Sequence, residues 1–236
     1  MSFLTRYQDD PSRPTAREVA RDVGIRLISP GIVLFGLITG LGLLLVGPSA
    51  GLGREEERAN RWIAAQRSSP WNSVTYVWSQ MANTLGIIAL CLVVVGVLWW
   101  RTRQWWYAVI PLLAISLQAL VFVSAAGIVG RQRPPVPKLD TSPPTASFPS
   151  GHTAASTALY TSFLLMATRI ENATVRYAVM LLCAAVPLMV AYSRFYRGMH
   201  HITDILGGAM IGISAALLSW NYLRRSPRRT GEGTRS

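Results

Sequence analysis

Three short segments hold the residues best suited to chemistry: GRQRP at 130–134, PSGH at 149–152 and SRFYRGMHHITD at 193–204. A plain connecting loop would need none of their histidines and arginines. Phosphoryl transfer requires fixed cations or amide donors for the phosphoryl oxygens, a nucleophile, and a proton donor for the leaving oxygen. Each part is present. Arg133 and Arg194 carry planar forks that pair with phosphate oxygens, which a lysine ammonium reproduces poorly. Pro149 marks a turn, Ser150 is a good N-cap, and Gly151 lets an anion approach the backbone at a helix start, where His152 would face it. His200 and Asp204 are four residues apart, so on a helix they share a face. The carboxylate can then fix the imidazole tautomer and stabilise its positive form, which makes a histidine a competent nucleophile. A lone histidine near a helix end is more often structural; two histidines, two arginines and an aspartate on one membrane face favour a site.

The elements that must position these residues follow from composition. Half of the 236 residues are apolar and only 14% are charged, few for a soluble domain. A membrane-crossing helix needs about 20 apolar residues, and uncharged stretches of that order occur at 27–53, 73–100, 104–130, 153–168, 177–193 and 205–223. The expected fold is all-α: a six-helix transmembrane bundle over residues 27–223, preceded by a segment 1–26 and followed by a basic tail 224–236. The fourth stretch is short and rich in hydroxyls (Thr153, Ser156, Thr157, Thr161, Ser162), as a helix buried among helices would be. The first is too long for a signal peptide core and is expected to remain as an anchor.

A net charge of +12 could indicate a nucleic-acid partner, but the basic residues cluster in the breaks and ends, where membrane topology puts them. Of 23 Lys and Arg, fourteen fall on the side of the termini and nine on the other. Both termini are therefore expected in the cytoplasm of a bacterial cell, the chain in its inner (plasma) membrane, and all three motifs on the outer side. Segment 54–67 alternates charge with Trp62 and Ile63, which suits either a helix along the outer interface or a solvated loop. Trp99, Trp100, Trp105, Trp106 and Tyr107 suggest an interfacial aromatic belt. Cys91 and Cys183 lie inside apolar runs and suggest packed thiols, while Gly208 and Gly212 form a weak helix-packing signal.

Together the motifs resemble the type 2 phosphatidic acid phosphatase family, which is related to the vanadium haloperoxidases and carries the signature KxxxxxxRP, PSGH and SRxxxxxHxxxD. The second motif matches at Pro149, Ser150, Gly151 and His152; the third matches at Ser193, Arg194, His200 and Asp204, and its spacing selects His200 over His201. The first matches only at Arg133 and Pro134, because Ala126 stands where the family has lysine. Arg131 is a further candidate for the missing phosphate contact, and Lys138 a weaker one. The resemblance implies that His200 attacks phosphorus, Asp204 orients it and His152 protonates the departing oxygen. Arg133, Ser150, Gly151 and Arg194 would hold the phosphoryl group. It implies no metal and no cofactor, and a lipid phosphate as the substrate, with polyprenyl diphosphate slightly favoured for an outward-facing site.

Other functions fit less well. A phosphotransferase would use the same site and pass phosphate to a second acceptor. A transporter would account for the spans but would be expected to carry ionisable residues within them, and none is present. Ser150, His200 and Asp204 could form a serine hydrolase, yet the arginines favour phosphate over an acyl group, and there is no GxSxG elbow.

Overall fold

In hydrocarbon every backbone N–H and C=O must be satisfied within the chain, so long apolar runs become helices. The computed structural model describes residues 14–47, 50–141 and 145–222, with the side chains of 50–52 set aside. Its helices are α1 (Ala16–Val23), α2 (Ser29–Val46), α3 (Ala50–Ala65), α4 (Ser69–Gln80), α5 (Thr84–Thr102), α6 (Trp105–Ala108), α7 (Ile110–Val129), α8 (Gly151–Ala167), α9 (Ala173–Tyr196) and α10 (Ile202–Asn221). A π-helical turn, Gly24–Ile28, joins α1 to α2. No strand occurs among the described residues.

Five helical stretches are long and apolar enough to cross a membrane: Ala16–Val46, Thr84–Thr102, Trp105–Val129, Ala173–Tyr196 and Ile202–Asn221. The remaining expected stretch, the fourth, is α8, which has 17 residues and falls short of the others in length. It stands among its neighbours, with Ala154, Ser156, Ala158, Leu159 and Ser162 fully buried. Small side chains let the partner helix come close. A Cβ on Gly212 would lie 2.6 Å from Thr157 Cβ and 2.7 Å from the Ala154 carbonyl, and one on Gly208 would strike the Ser150 carbonyl. The weak glycine signal therefore marks the contact of α10 with α8.

Two expected boundaries shift. The run 73–100 is not one helix: α4 ends at Gln80, and Asn83 starts α5 by accepting a hydrogen bond from the Leu85 N–H at 3.1 Å. The first span stops at Val46 rather than 53, and 50–65 is helix rather than loop. The aromatic belt also divides. Trp99 and Trp100 are exposed, whereas Trp106 and Tyr107 are buried with Met166 and Tyr222. The Tyr222 hydroxyl donates to the Trp106 carbonyl.

These contacts fix which segments share an end of the bundle. Val19 and Val23 of α1 pack with Trp106, Met166 and Tyr222, so both ends of the described chain lie together. At the opposite end, Gly42 of α2 and Gly207 of α10 both press on Phe148. Leu37, Leu92, Val93, Leu120, Val123, Leu181 and Leu188 are exposed on four different helices, an apolar perimeter that water would not tolerate but lipid would. The expected N-terminal segment 1–26 is described only from residue 14, and the tail 224–236 lies outside the described residues.

Candidate active site

The three motif segments meet at the end of the bundle away from α1 and Tyr222. Gly130 caps α7 in the left-handed region (φ 62°) and turns the chain into the loop carrying Arg131 and Arg133. The loop returns to α8 through Phe148 and a cis peptide at Pro149. The last turn of α9 supplies Arg194, and His200 and His201 lie just before α10. Arg133, Pro149, Gly151, His152, Arg194 and His200 all line one cavity of about 40 Å³, with Phe122 closing its side.

His200 is almost fully buried, and its Nδ1 lies 2.8 Å from the Ser147 carbonyl. A carbonyl can only accept, so Nδ1 carries the proton and Nε2 holds the free lone pair. The expected orienting partner, Asp204, is further away, with Oδ2 at 3.8 Å from the same nitrogen. Asp204 instead acts as a fully buried hub. Its Oδ2 accepts from Ser147 Oγ at 2.5 Å and from the His201 N–H at 2.8 Å, while Oδ1 accepts from Arg131 at 2.6 Å. Ser147 thus joins the carboxylate to the imidazole, its hydroxyl on one and its carbonyl on the other. No motif contains Ser147, and a backbone carbonyl leaves no mark in sequence.

The two arginines differ in how they are held. Arg133 donates to the Met199 carbonyl at 2.8 Å and the Thr145 carbonyl at 3.3 Å, and burial lowers its pKa while the Asp204 charge opposes that shift. Arg194, 2% exposed, donates from one terminal nitrogen to Ser79 Oγ at 2.6 Å and to Asp140 Oδ2 at 2.7 Å. Asp140 also takes a bond from Arg197 Nε at 2.8 Å. Arg194 Nε is buried with no hydrogen-bond partner among the described residues. A donor held dry beside a cavity suits an incoming oxyanion.

Two expected phosphate ligands have hydrogen-bond partners within the protein. Arg131 is turned away from the cavity, with one terminal nitrogen on Thr203 Oγ1 and Asp204 and the other on Glu56 at 2.6 Å. Burial acts to lower its pKa, yet the two carboxylates outweigh it and the value is raised. Both of its terminal nitrogens are thus engaged within the protein, and the residue also lines the groove beside Ala126. Ser150 is fully buried, its hydroxyl 2.9 Å from Thr153 Oγ1 and its N–H on the Asp204 carbonyl at 2.8 Å. That bond ties the start of α8 to the start of α10. Gly151 and His152 remain the first residues of α8, whose leading N–H groups have no acceptor within the helix and favour an anion.

A larger groove of about 720 Å³ adjoins the cavity and shares Phe122, Arg133, Thr145 and Ala146 with it. Ala126 and the exposed Lys138 line it. Among the described residues no cluster of three or more His, Cys, Asp or Glu is placed to hold a metal ion. Glu56, Asn60, Ser79 and Ser147 contribute to the site although no sequence motif points to them. Asp140, which accepts from both Arg194 and Arg197, likewise stands outside the motifs.

The fold matches solved structures. A transmembrane PAP2-type phosphatidylglycerolphosphate phosphatase from Bacillus subtilis superposes with a TM-score of 0.72 at 19% identity, over 81% of this chain and 94% of that one. LpxE from Aquifex aeolicus gives 0.55 at 21% identity, over 69% and 93%. A dihydrosphingosine 1-phosphate phosphatase of Schizosaccharomyces pombe is 31% identical over 78 residues, which is 32% of this chain and 19% of that protein's length. The profile of the PAP2 superfamily matches residues 106–228, which hold α7 to α10 and every motif residue lining the cavity. That match spans just over half of the sequence, and the chain belongs to the PAP2 superfamily.

Proposed function

We propose that this chain is an integral-membrane phosphatase that hydrolyses the phosphate or diphosphate of a lipid through a phosphohistidine at His200. One observation carries the reading: two imidazoles and two guanidiniums from three separated segments line a single cavity at the start of α8. Nε2 of His200 donates its lone pair to phosphorus as the P–O bond to the lipid breaks, and His152 gives a proton to the leaving oxygen. Water then attacks the phosphohistidine and gives its proton to His152, which releases phosphate and restores both rings. Arg133, Arg194 and the first N–H groups of α8, at Gly151 and His152, hold the phosphoryl oxygens. Ser147 and Asp204 keep the His200 ring oriented.

The activities named for the Bacillus subtilis and Schizosaccharomyces pombe proteins support a phosphate on a long-chain or glycerolipid carrier. Over the whole sequence fourteen Lys and Arg fall on the side of the termini and nine on the side of the site, a balance that favours an outward-facing site and cytoplasmic termini. An outward site favours a polyprenyl phosphate or diphosphate. The reaction takes place without a metal ion.

Purified protein in detergent, with chelator present, is expected to release phosphate from at least one of phosphatidic acid, phosphatidylglycerol phosphate and a polyprenyl diphosphate. His200→Ala abolishes release, and His152→Ala slows it about 10²- to 10⁴-fold, the range for a lost general acid. Full activity in the His200→Ala protein would falsify the mechanism.

A further inference from the structure

Helix α3 lies outside the family-matched region, yet it enters the site with two buried polar side chains. Glu56 is 5% exposed and Asn60 fully buried, whereas the neighbouring Glu55, Arg58 and Arg61 face out. A carboxylate is buried only when it is paired or fully hydrogen-bonded. Glu56 is both. Its Oε1 accepts the Thr203 N–H at 2.7 Å; its Oε2 accepts Arg131 at 2.6 Å and the Thr203 hydroxyl at 3.1 Å. Thr203 is in the first turn of α10, so Glu56 caps that helix from another element. One turn further along α3, Asn60 Nδ2 donates to the His200 carbonyl at 3.2 Å. The segment from His200 to Asp204 is thereby held from behind at two points.

The charges explain why a carboxylate is used there. Arg131 beside Asp204 alone would be a neutral pair, leaving little field at the imidazole. Glu56 answers the same guanidinium from the other side, so the trio of Glu56, Arg131 and Asp204 keeps one net negative charge. Resting on the reading of His200 as nucleophile, we propose that Glu56, assisted by Asn60, is a positioning residue for phosphoryl transfer. It fixes the His200–Asp204 segment and leaves Asp204 enough net charge to stabilise the positive ring that forms as nitrogen bonds to phosphorus. The other charged or titratable groups facing His200 are His201 on its own segment, His152 on α8, Arg194 on α9 and Arg133 on the loop.

Neutral His200 is the reactive form, so the rate falls as pH drops through its pKa. Glu56→Gln keeps an oxygen for the Thr203 N–H but removes the extra charge. The expected result is kcat lower by about 10- to 100-fold with KM little changed, the loss of one charged hydrogen bond, and an acid limb of kcat/KM moved to lower pH. Arg131→Gln makes the cluster more negative and moves that limb to higher pH. A role in stability alone would lower kcat in both variants and move neither limb. The inference fails if Glu56→Gln leaves the limb in place, or if both limbs move the same way; where Glu56→Gln does not fold, the upward limb of Arg131→Gln is the required result. An inactive wild-type protein would refute the proposed function itself, whereas an active wild type with unmoved limbs refutes only the role of Glu56.

Discussion

In the proposed mechanism His200 must be neutral before it attacks phosphorus and cationic afterwards, and its surroundings suit both states. Burial first, then the Arg194 and Arg133 charges, lower its pKa to about 4, while Asp204 pulls the other way. The resting ring is therefore neutral across the physiological range. In the unfolded chain the same ring titrates near ~6.5. The unfolded state thus takes up its proton first as pH falls, so this residue's contribution to stability is complete above about 6.5 and is lost between there and about 4. In detergent the thermal midpoint should fall across that window, and His200→Gln should flatten the fall; an equally steep fall in the variant would assign the effect to other groups. Arg194 makes a second case at this scale. Its terminal nitrogen is shared between Ser79 and Asp140 and its Nε is free, a geometry no single ammonium can reproduce. Arg194→Lys is expected to lower kcat/KM about 10- to 100-fold, one to two charged hydrogen bonds' worth; a smaller loss would mean that Nε does not meet the substrate.

Among the elements, the pairing of α8 with α10 decides where the two histidines sit. His152 is in the first turn of α8, His200 just before α10, and the N–H of Ser150 rests on the Asp204 carbonyl. The two backbones meet because Gly208 has no side chain: a Cβ there would strike the Ser150 carbonyl and come within 3.2 Å of the Ala154 nitrogen. Backbone cannot rotate aside as a side chain does. Gly208→Ala should force the helices apart, lowering stability by about 1–3 kcal/mol as overpacking does and activity by about 10²-fold for a displacement near 1 Å. Gly96→Ala on α5, where nothing lies within 4 Å, is the control and should be neutral; equal behaviour of the two would remove the close approach as a cause. The motif residues were legible in sequence because their types are rare in apolar chains and their spacing is fixed by one helix turn. Glu56 was not, since its partners Arg131 and Thr203 lie 75 and 147 residues away and its neighbours give it the look of a solvated face. Ser150 marks the start of α8, as its type led one to expect, but the partner of its N–H, the Asp204 carbonyl, was not legible because it comes from a distant segment.

For the whole molecule, apolar length predicted the bundle but not its breaks, because hydropathy does not register a cap such as Asn83 or the short length of an enclosed helix such as α8. The direction of each pass is now constrained by packing. α1, α6 and Tyr222 gather at one end, and Arg131, α3 and the start of α10 gather at the other. The described chain therefore begins and ends at the same end of the bundle, as an even number of passes requires. Moving cations across a membrane is costly, so the proposed orientation, with the site outside, rests on the sequence-wide balance of fourteen Lys and Arg on the side of the termini against nine on the side of the site. Lys138, exposed in the site loop, and Arg103, at the break after α5, are on opposite ends. Both native cysteines are buried, so an introduced thiol can be followed alone. On intact cells a membrane-impermeant maleimide should label Lys138→Cys, while Arg103→Cys should react only after the membrane is opened. The reverse pattern would turn the bundle over, putting the site on the cytoplasmic face and removing the argument for a carrier lipid presented from outside.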